Sequence, residues 1–148
     1  MKKFHFPLQK VLEYDTHLQK NEADALSLLL AEYNRMEKKR DDMLLDYEQA
    51  KRKYQTECEN GLSASQCVAS GMYIKDQRQL ITKMEEQLRE QMKRVDKQRE
   101  RLVAVTQDKT MIEKLKERSR EAYLASERKS SELYIEELVS NQAAKTVS

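Results

Sequence analysis

The chain has 148 residues, of which 36% are charged and 6% aromatic, with no tryptophan; that is one domain's length but little material for a globular core. Its 28 basic and 26 acidic residues leave a formal net charge of +2, which excludes the dense unpaired Lys/Arg surface of a dedicated nucleic-acid binder. Only two glycines and one proline interrupt a composition rich in Lys, Glu, Arg and Gln, and this predicts long helices rather than sheet.

Pro7 is the only proline and follows Phe4-His5-Phe6. Proline suits the first turn of a helix, where its missing N–H has no partner to lose, and an apolar Phe6 before it can pack back onto that turn. Helix one is therefore expected from about residue 7 to 59. Along it, residues recur at alternating spacings of four and three: Leu8, Leu12, Asp15, Gln19, Glu22, Leu26, Leu29, Tyr33, Met36, Arg40, Met43, Tyr47, Ala50 and Tyr54. Ten of these fourteen are apolar in a chain that is 39% hydrophobic, the mark of a heptad seam. Where the seam turns polar, at Asp15, Gln19 and Glu22, a neighbouring row of Val11, Leu18 and Ala25 suggests a stutter.

The pattern stops at Asn60-Gly61, where Gly61 suits the left-handed conformation of a helix C-cap. Gly71 is expected to close a turn of about residues 60–72, with Ser63 and Gln66 capping a short helical turn inside it. Residues 61–74 carry no charge. Their apolar members, Leu62, Cys67, Val68, Met72, Tyr73 and Ile74, either cover the helix ends or offer a partner an apolar tip.

Helix two is expected over about 73–140. Its seam reads Ile74, Gln77, Ile81, Met84, Leu88, Gln91, Val95, Gln98, Leu102, Val105, Lys109 and Ile112, then drifts toward Leu115, Ala122, Tyr123, Leu133 and Leu138. Residues 141–148 should fray. Two matching stripes joined by a short segment should fold back on each other. The expected fold is all-α, one long antiparallel two-helix coiled-coil hairpin spanning residues 1–148. Helix one would run roughly 75–80 Å. A fold centred on Gln66 would set Tyr54 against the region of Arg78 and Leu12 against that of Arg120, with helix two overhanging by a few turns.

Nothing in this pattern builds a reaction site. His5 and His17 cannot share a metal, no zinc-ligand spacing is present, and the phosphate-binding and nucleophile-elbow motifs are absent. Carboxylates interleave with Lys and Arg as exposed helix pairs. We expect no enzyme activity, no metal and no cofactor. No apolar run reaches the roughly 20 residues of a membrane span, and no secretory signal follows Met1-Lys2-Lys3. Cys58 and Cys67, without a CxxC pattern, are expected to be reduced and to have no redox role. Lys75 to Arg120 carries an excess of about five positive charges, which reads first as a solvated helix face. Leu30, Leu44 and Leu80 flank the seam, either widening it or meeting a partner.

The opening run from Met1-Lys2-Lys3-Phe4-His5-Phe6-Pro7-Leu8 to Val11-Leu12-Glu13-Tyr14 resembles the N-terminus of flagellar FliJ proteins. So do Leu44-Leu45-Asp46-Tyr47, Asn60-Gly61-Leu62-Ser63 and an aromatic at Tyr73 leading into helix two. Asp15 departs from the pattern, which often has a basic residue there. The resemblance implies a non-enzymatic, cytoplasmic stalk and adaptor of flagellar type III export, supporting flagellum biogenesis, motility and chemotaxis. Implied partners are the hexameric export ATPase, the cytoplasmic domain of the membrane-embedded export gate, and export chaperones. Association with the inner membrane would be peripheral, through that apparatus, and no nucleic-acid partner is implied. By position, Leu44, Tyr47 and Leu80 match the family's gate contact, while Arg40, Lys51, Asp76, Lys83 and Gln87 fall where members differ. The ring contacts would be Phe4, Phe6, Leu18, Tyr123, Leu133 and Tyr134. Competing readings are a structural coiled-coil tether, the equivalent stalk of a virulence-type secretion system, and a basic rod for nucleic acid or anionic lipid. Prefoldin-like chaperones would need strands that residues 61–71 do not supply.

Overall fold

The structure is a computed structural model describing residues 2–147; Met1, which opens the N-terminal run, and Ser148, which ends the expected frayed tail, lie outside them. Two helices packed against each other form the fold, α1 (Gln9–Glu59) and α2 (Ala64–Val147), with no strand among the described residues.

The chain reverses where its residues require it. Gly61 takes a φ of 90°, a conformation that strains any side chain. Its N–H donates to Cys58 O at 3.3 Å, and the Asn60 N–H donates to Thr56 O at 3.1 Å, closing the last turn of α1. Ser63 and Gln66 then form a reciprocal capping box. The Gln66 N–H donates to Ser63 Oγ and the Ser63 N–H to Gln66 Oε1, both at 3.3 Å.

This box caps the whole of α2 rather than a short turn, so the expected boundary near residue 73 is corrected to Ala64. Gly71 lies within the helix, and nothing approaches its absent Cβ. One internal glycine costs about 1 kcal/mol, too little to break a helix with good formers on both sides. The far end is corrected too: residues 141–147 are helical rather than frayed. Ala143 and Ala144 favour helix there, and Lys145 in the last turn complements the helix dipole.

The packing falls into two compact units. In the first, Asn21–Leu102, α2 supplies the core through Ile81, Met84, Leu88 and Val95, the last fully buried. Each such side chain contributes about 1.5–3 kcal/mol of burial. Facing them, Leu26, Leu29, Tyr33, Met36 and Met43 of α1 are half-buried. Gln91 and Gln98 complete the same buried row. Gln91 Nε2 donates to Leu29 O, and Gln98 Nε2 donates to Glu22 O, each at 3.1 Å; Gln98 also donates to the Glu22 carboxylate. Both pairs centre the fold on Asn60 rather than Gln66. Tyr54, expected against the region of Arg78, lines a groove with Ala69, Ser70, Tyr73 and Ile74, the last of them one turn before Arg78. The physical cause is the four-residue turn: helix begins sooner, so every pairing moves.

These glutamines are expected to differ on replacement. Leu29 O already accepts an intrahelical bond, and the Arg94 Nη1 that donates to Gln91 Oε1 at 3.4 Å can turn to water, so Gln91→Leu exchanges two modest hydrogen bonds for apolar burial and should raise the melting temperature by a few degrees. Gln98→Leu leaves the half-buried Glu22 carboxylate without its donor and should gain less or lose stability. Thermal circular dichroism of the two variants checks the order.

The second unit joins Met1–Lys20 to Val103–Ser148. Phe6 and Leu12 are buried here. Asp15 and Gln19 remain in the seam, half-buried, and of the neighbouring row Leu18 is half-buried as well, whereas Val11 is 42% exposed. Polar residues across the pair satisfy the polar run: Gln19 Nε2 donates to Thr106 Oγ1, and Lys109 Nζ donates to Gln19 Oε1, both at 3.0 Å. On α2 the row continues through Ile112, Lys116 and Tyr123, while Leu115 faces outward. The Tyr123 hydroxyl donates to Lys2 O at 2.5 Å, a register incompatible with Arg120 facing Leu12. Beyond it, residues 128–147 are exposed throughout, an overhang longer than the few turns expected.

Candidate partner-binding surfaces

No buried polar side-chain atom lacks a hydrogen-bond partner among the described residues, and no three His, Cys, Asp or Glu residues gather there as a metal site. The concavities are open grooves between side chains. The one lined by Lys51, Tyr54, Cys58, Gly71 and Ile74 has about 630 Å³. Another, along Phe4, Phe6, Pro7 and Lys116, has about 690 Å³. No described helix is long and apolar enough to cross a membrane.

In the unit holding the turn, Leu44 and Tyr47 are half-buried and Leu80 is exposed. Lys51 Nζ sits 5.2 Å from the Tyr47 ring centroid, a cation–π contact that holds the ring to the helix surface. The register centred on Asn60 sets Leu80 level with Arg40, one turn from Leu44. Arg40 binds Asp41 at 3.0 Å. That hydrogen bond raises its pKa further, against a smaller opposing effect of desolvation and with help from the charges of Asp41, Glu37 and Glu85. The uncharged tip divides by face: Leu62, Cys67 and Ile74 are half-buried, while Val68, Met72 and Tyr73 are exposed.

In the other unit, the structure brings three of the six ring candidates together. The Phe4 ring lies 5.5 Å from that of Tyr123, tilted by 48°, and Phe6 is buried nearby at the start of α1. Leu18 is half-buried on α1. Leu133 and Tyr134 stand apart from these, exposed on the overhang. At 100° per residue, Leu124, Ile135, Leu138 and Val139 share one face there, with Tyr134 at its margin and Leu133 on the opposite side. All are exposed. Leu124, Ile135 and Val139 were not singled out from the sequence. The signal for them is continuation of the three-and-four spacing past Tyr123, where no matching stripe of α1 remains to pair with it.

Three of the fourteen basic side chains in the mildly basic stretch of α2, residues 75–120, pair with carboxylates of the same helix. Lys93 meets Glu90 at 3.1 Å, Arg99 meets Asp96 at 3.5 Å, and Lys109 meets Glu113 at 3.5 Å. Such exposed pairs contribute little stability.

The model of one protein family, described as Flagellar FliJ protein, matches residues 4–147. No curated protein and no solved structure matches the chain significantly.

Proposed function

Because the chain belongs to the flagellar FliJ protein family, which matches it over residues 4–147, we propose that it is the stalk and adaptor of a flagellar export ATPase. The family is a non-catalytic component of flagellar export, and an export-related role follows from membership. The finer reading is that the unit holding the N-terminus and the overhang of α2 engages the hexameric ATPase ring. The unit holding the turn engages the cytoplasmic domain of the export gate and assists in handing over chaperones. The protein would then act in the cytoplasm, beside the inner membrane, with no chemistry of its own.

The observation that carries this reading is the overhang. Its face of Leu124, Ile135, Leu138 and Val139 meets no α1 partner and is exposed, while the rest of α2 buries its stripe. An amphipathic helix left half-solvated suits insertion against other subunits. A single asymmetric helix pair inside a sixfold ring also removes the ring's symmetry, which biases the subunits that bind or hydrolyse ATP. A simple tether requires no such unpaired face.

Gate binding is tested through the turn-bearing unit. Leu44→Glu with Leu80→Glu should weaken binding to the gate's cytoplasmic domain at least tenfold in calorimetry, because a carboxylate forced into an apolar interface is left unpaired. Binding to the ATPase should be unchanged. Equal weakening of both, or of neither, contradicts the assignment of separate partners to the two units.

A further inference from the structure

Asn60 and Gly61 open the connection between α1, which ends at Glu59, and α2, which starts at Ala64. Both are exposed. The other asparagines of the chain are Asn21, Asn34 and Asn141. All three lie inside helices, each followed by a long side chain, Glu22, Arg35 or Gln142. Asn60 alone stands outside a helix and alone precedes a glycine. Gly61 holds a φ of 90°, and nothing lies within 4 Å of the place its Cβ would take. Its N–H is held by the bond to Cys58 O, at 3.3 Å a long one for its kind.

We propose that Asn60 is a site of spontaneous deamidation, in which the Gly61 backbone nitrogen displaces the side-chain amide and hydrolysis leaves a carboxylate. The inference is independent of the flagellar role. In the first step hydroxide removes the Gly61 amide proton and the nitrogen attacks Asn60 Cγ. A C–N bond forms, and the carboxamide nitrogen takes a proton from water and leaves as ammonia. The product is a cyclic succinimide, to which water then adds at either of two carbonyl carbons. Opening at Cγ restores the ordinary backbone with aspartate at position 60. Opening at the main-chain carbonyl gives isoaspartate, whose backbone runs through the former side chain. One water enters, one ammonia leaves, and no electrons are exchanged.

The fold decides which asparagine reacts. Inside a helix the following nitrogen is fixed in its own backbone bond, and it cannot swing onto the preceding carboxamide without unwinding that helix. For Gly61 the same movement breaks one long bond at a chain reversal, where local opening is cheap. The missing Cβ leaves room for the ring. The product is poorly placed: Glu57 and Glu59 already stand at the negative end of the α1 dipole, and no basic residue lies in its last turn. Isoaspartate also lengthens a short connection.

The test keeps the full chain warm at mildly alkaline pH for several days, then applies anion exchange, peptide mapping by mass and labelling with an isoaspartyl methyltransferase. The expected product carries one more negative charge and is heavier by the difference between a hydroxyl and an amino group. Conversion at Asn60 should exceed that at Asn21, Asn34 or Asn141 by about tenfold or more, and it should slow as the pH is lowered. The isolated product should melt a few degrees below the starting protein. Asn60→Gln, whose longer side chain closes a less favourable ring, should stay unconverted with helix content unchanged. An intact Asn60 in the wild-type chain, or comparable conversion at the helical asparagines, would overturn the proposal.

Discussion

Ile135→Glu combined with Leu138→Glu is expected to abolish stimulation of the cognate export ATPase while leaving helix content and melting temperature unchanged. Both side chains are about half exposed, at 58% and 47%, so the carboxylates cost little in the free protein. In a ring they would have to shed water without a partner, and each unpaired buried charge costs several kcal/mol. At 1.4 kcal/mol per tenfold, affinity should fall by about a hundredfold or more. ATP turnover measured against stalk concentration reads this directly. Leu133→Glu, on the opposite face, should do much less. Phe6→Glu is a poorer probe, because Phe6 is 6% exposed and its charge would disrupt the helix pair itself. Full stimulation by the double variant would remove the overhang from the ring contact.

Val95→Asp should be the most damaging single change to the fold. Val95 is fully buried, one turn from Gln91 and three residues before Gln98, and its neighbours' polar atoms are already committed to Leu29 and Glu22. An aspartate there would bury a carboxylate in the apolar row of α2, a loss of about 3–5 kcal/mol. For a chain this size the melting temperature should drop by about 10 °C or more. Val95→Ala removes two methyl groups and should cost only about 1–2 kcal/mol. Thermal circular dichroism of both variants, with Val95→Ala close to wild type, separates charge burial from lost volume.

The seams were readable because a period of 3.5 leaves an arithmetic trace: every α1 seam position named from Leu12 to Tyr54 is buried or half-buried. Register was harder. It depends on where the turn starts, and the uncharged residues 61–74 gave no charge pattern to separate loop from helix. Gly71 looked like a boundary because glycine is usually read by its cost, yet a long helix absorbs that cost. The polar Gln19 of the seam is hard to place from one strand of sequence, which does not display the Thr106 and Lys109 that bind it. Of the partner candidates, the Phe4–Tyr123 contact was foreseeable as a cluster of apolar residues at one end, whereas the face occupied by Ile135 and Val139 emerges only once α1 is seen to run out.

Lys2 and Tyr123, which share a hydrogen bond, are 121 residues apart in sequence, whereas the end of α1 and the start of α2 are joined by a loop of four residues. Closing a short loop is fast, and the entropy of closure grows with separation, so the helix pair should zip from the turn toward the termini. Translation imposes the opposite order. Phe4, Phe6 and Leu12 leave the ribosome first, but at 5–20 residues per second Tyr123 follows them only after roughly 6–25 s. During that interval the first turns of α1 are a nascent amphipathic helix with its apolar stripe uncovered, and that is when the chain is most exposed to a chaperone or a neighbouring chain.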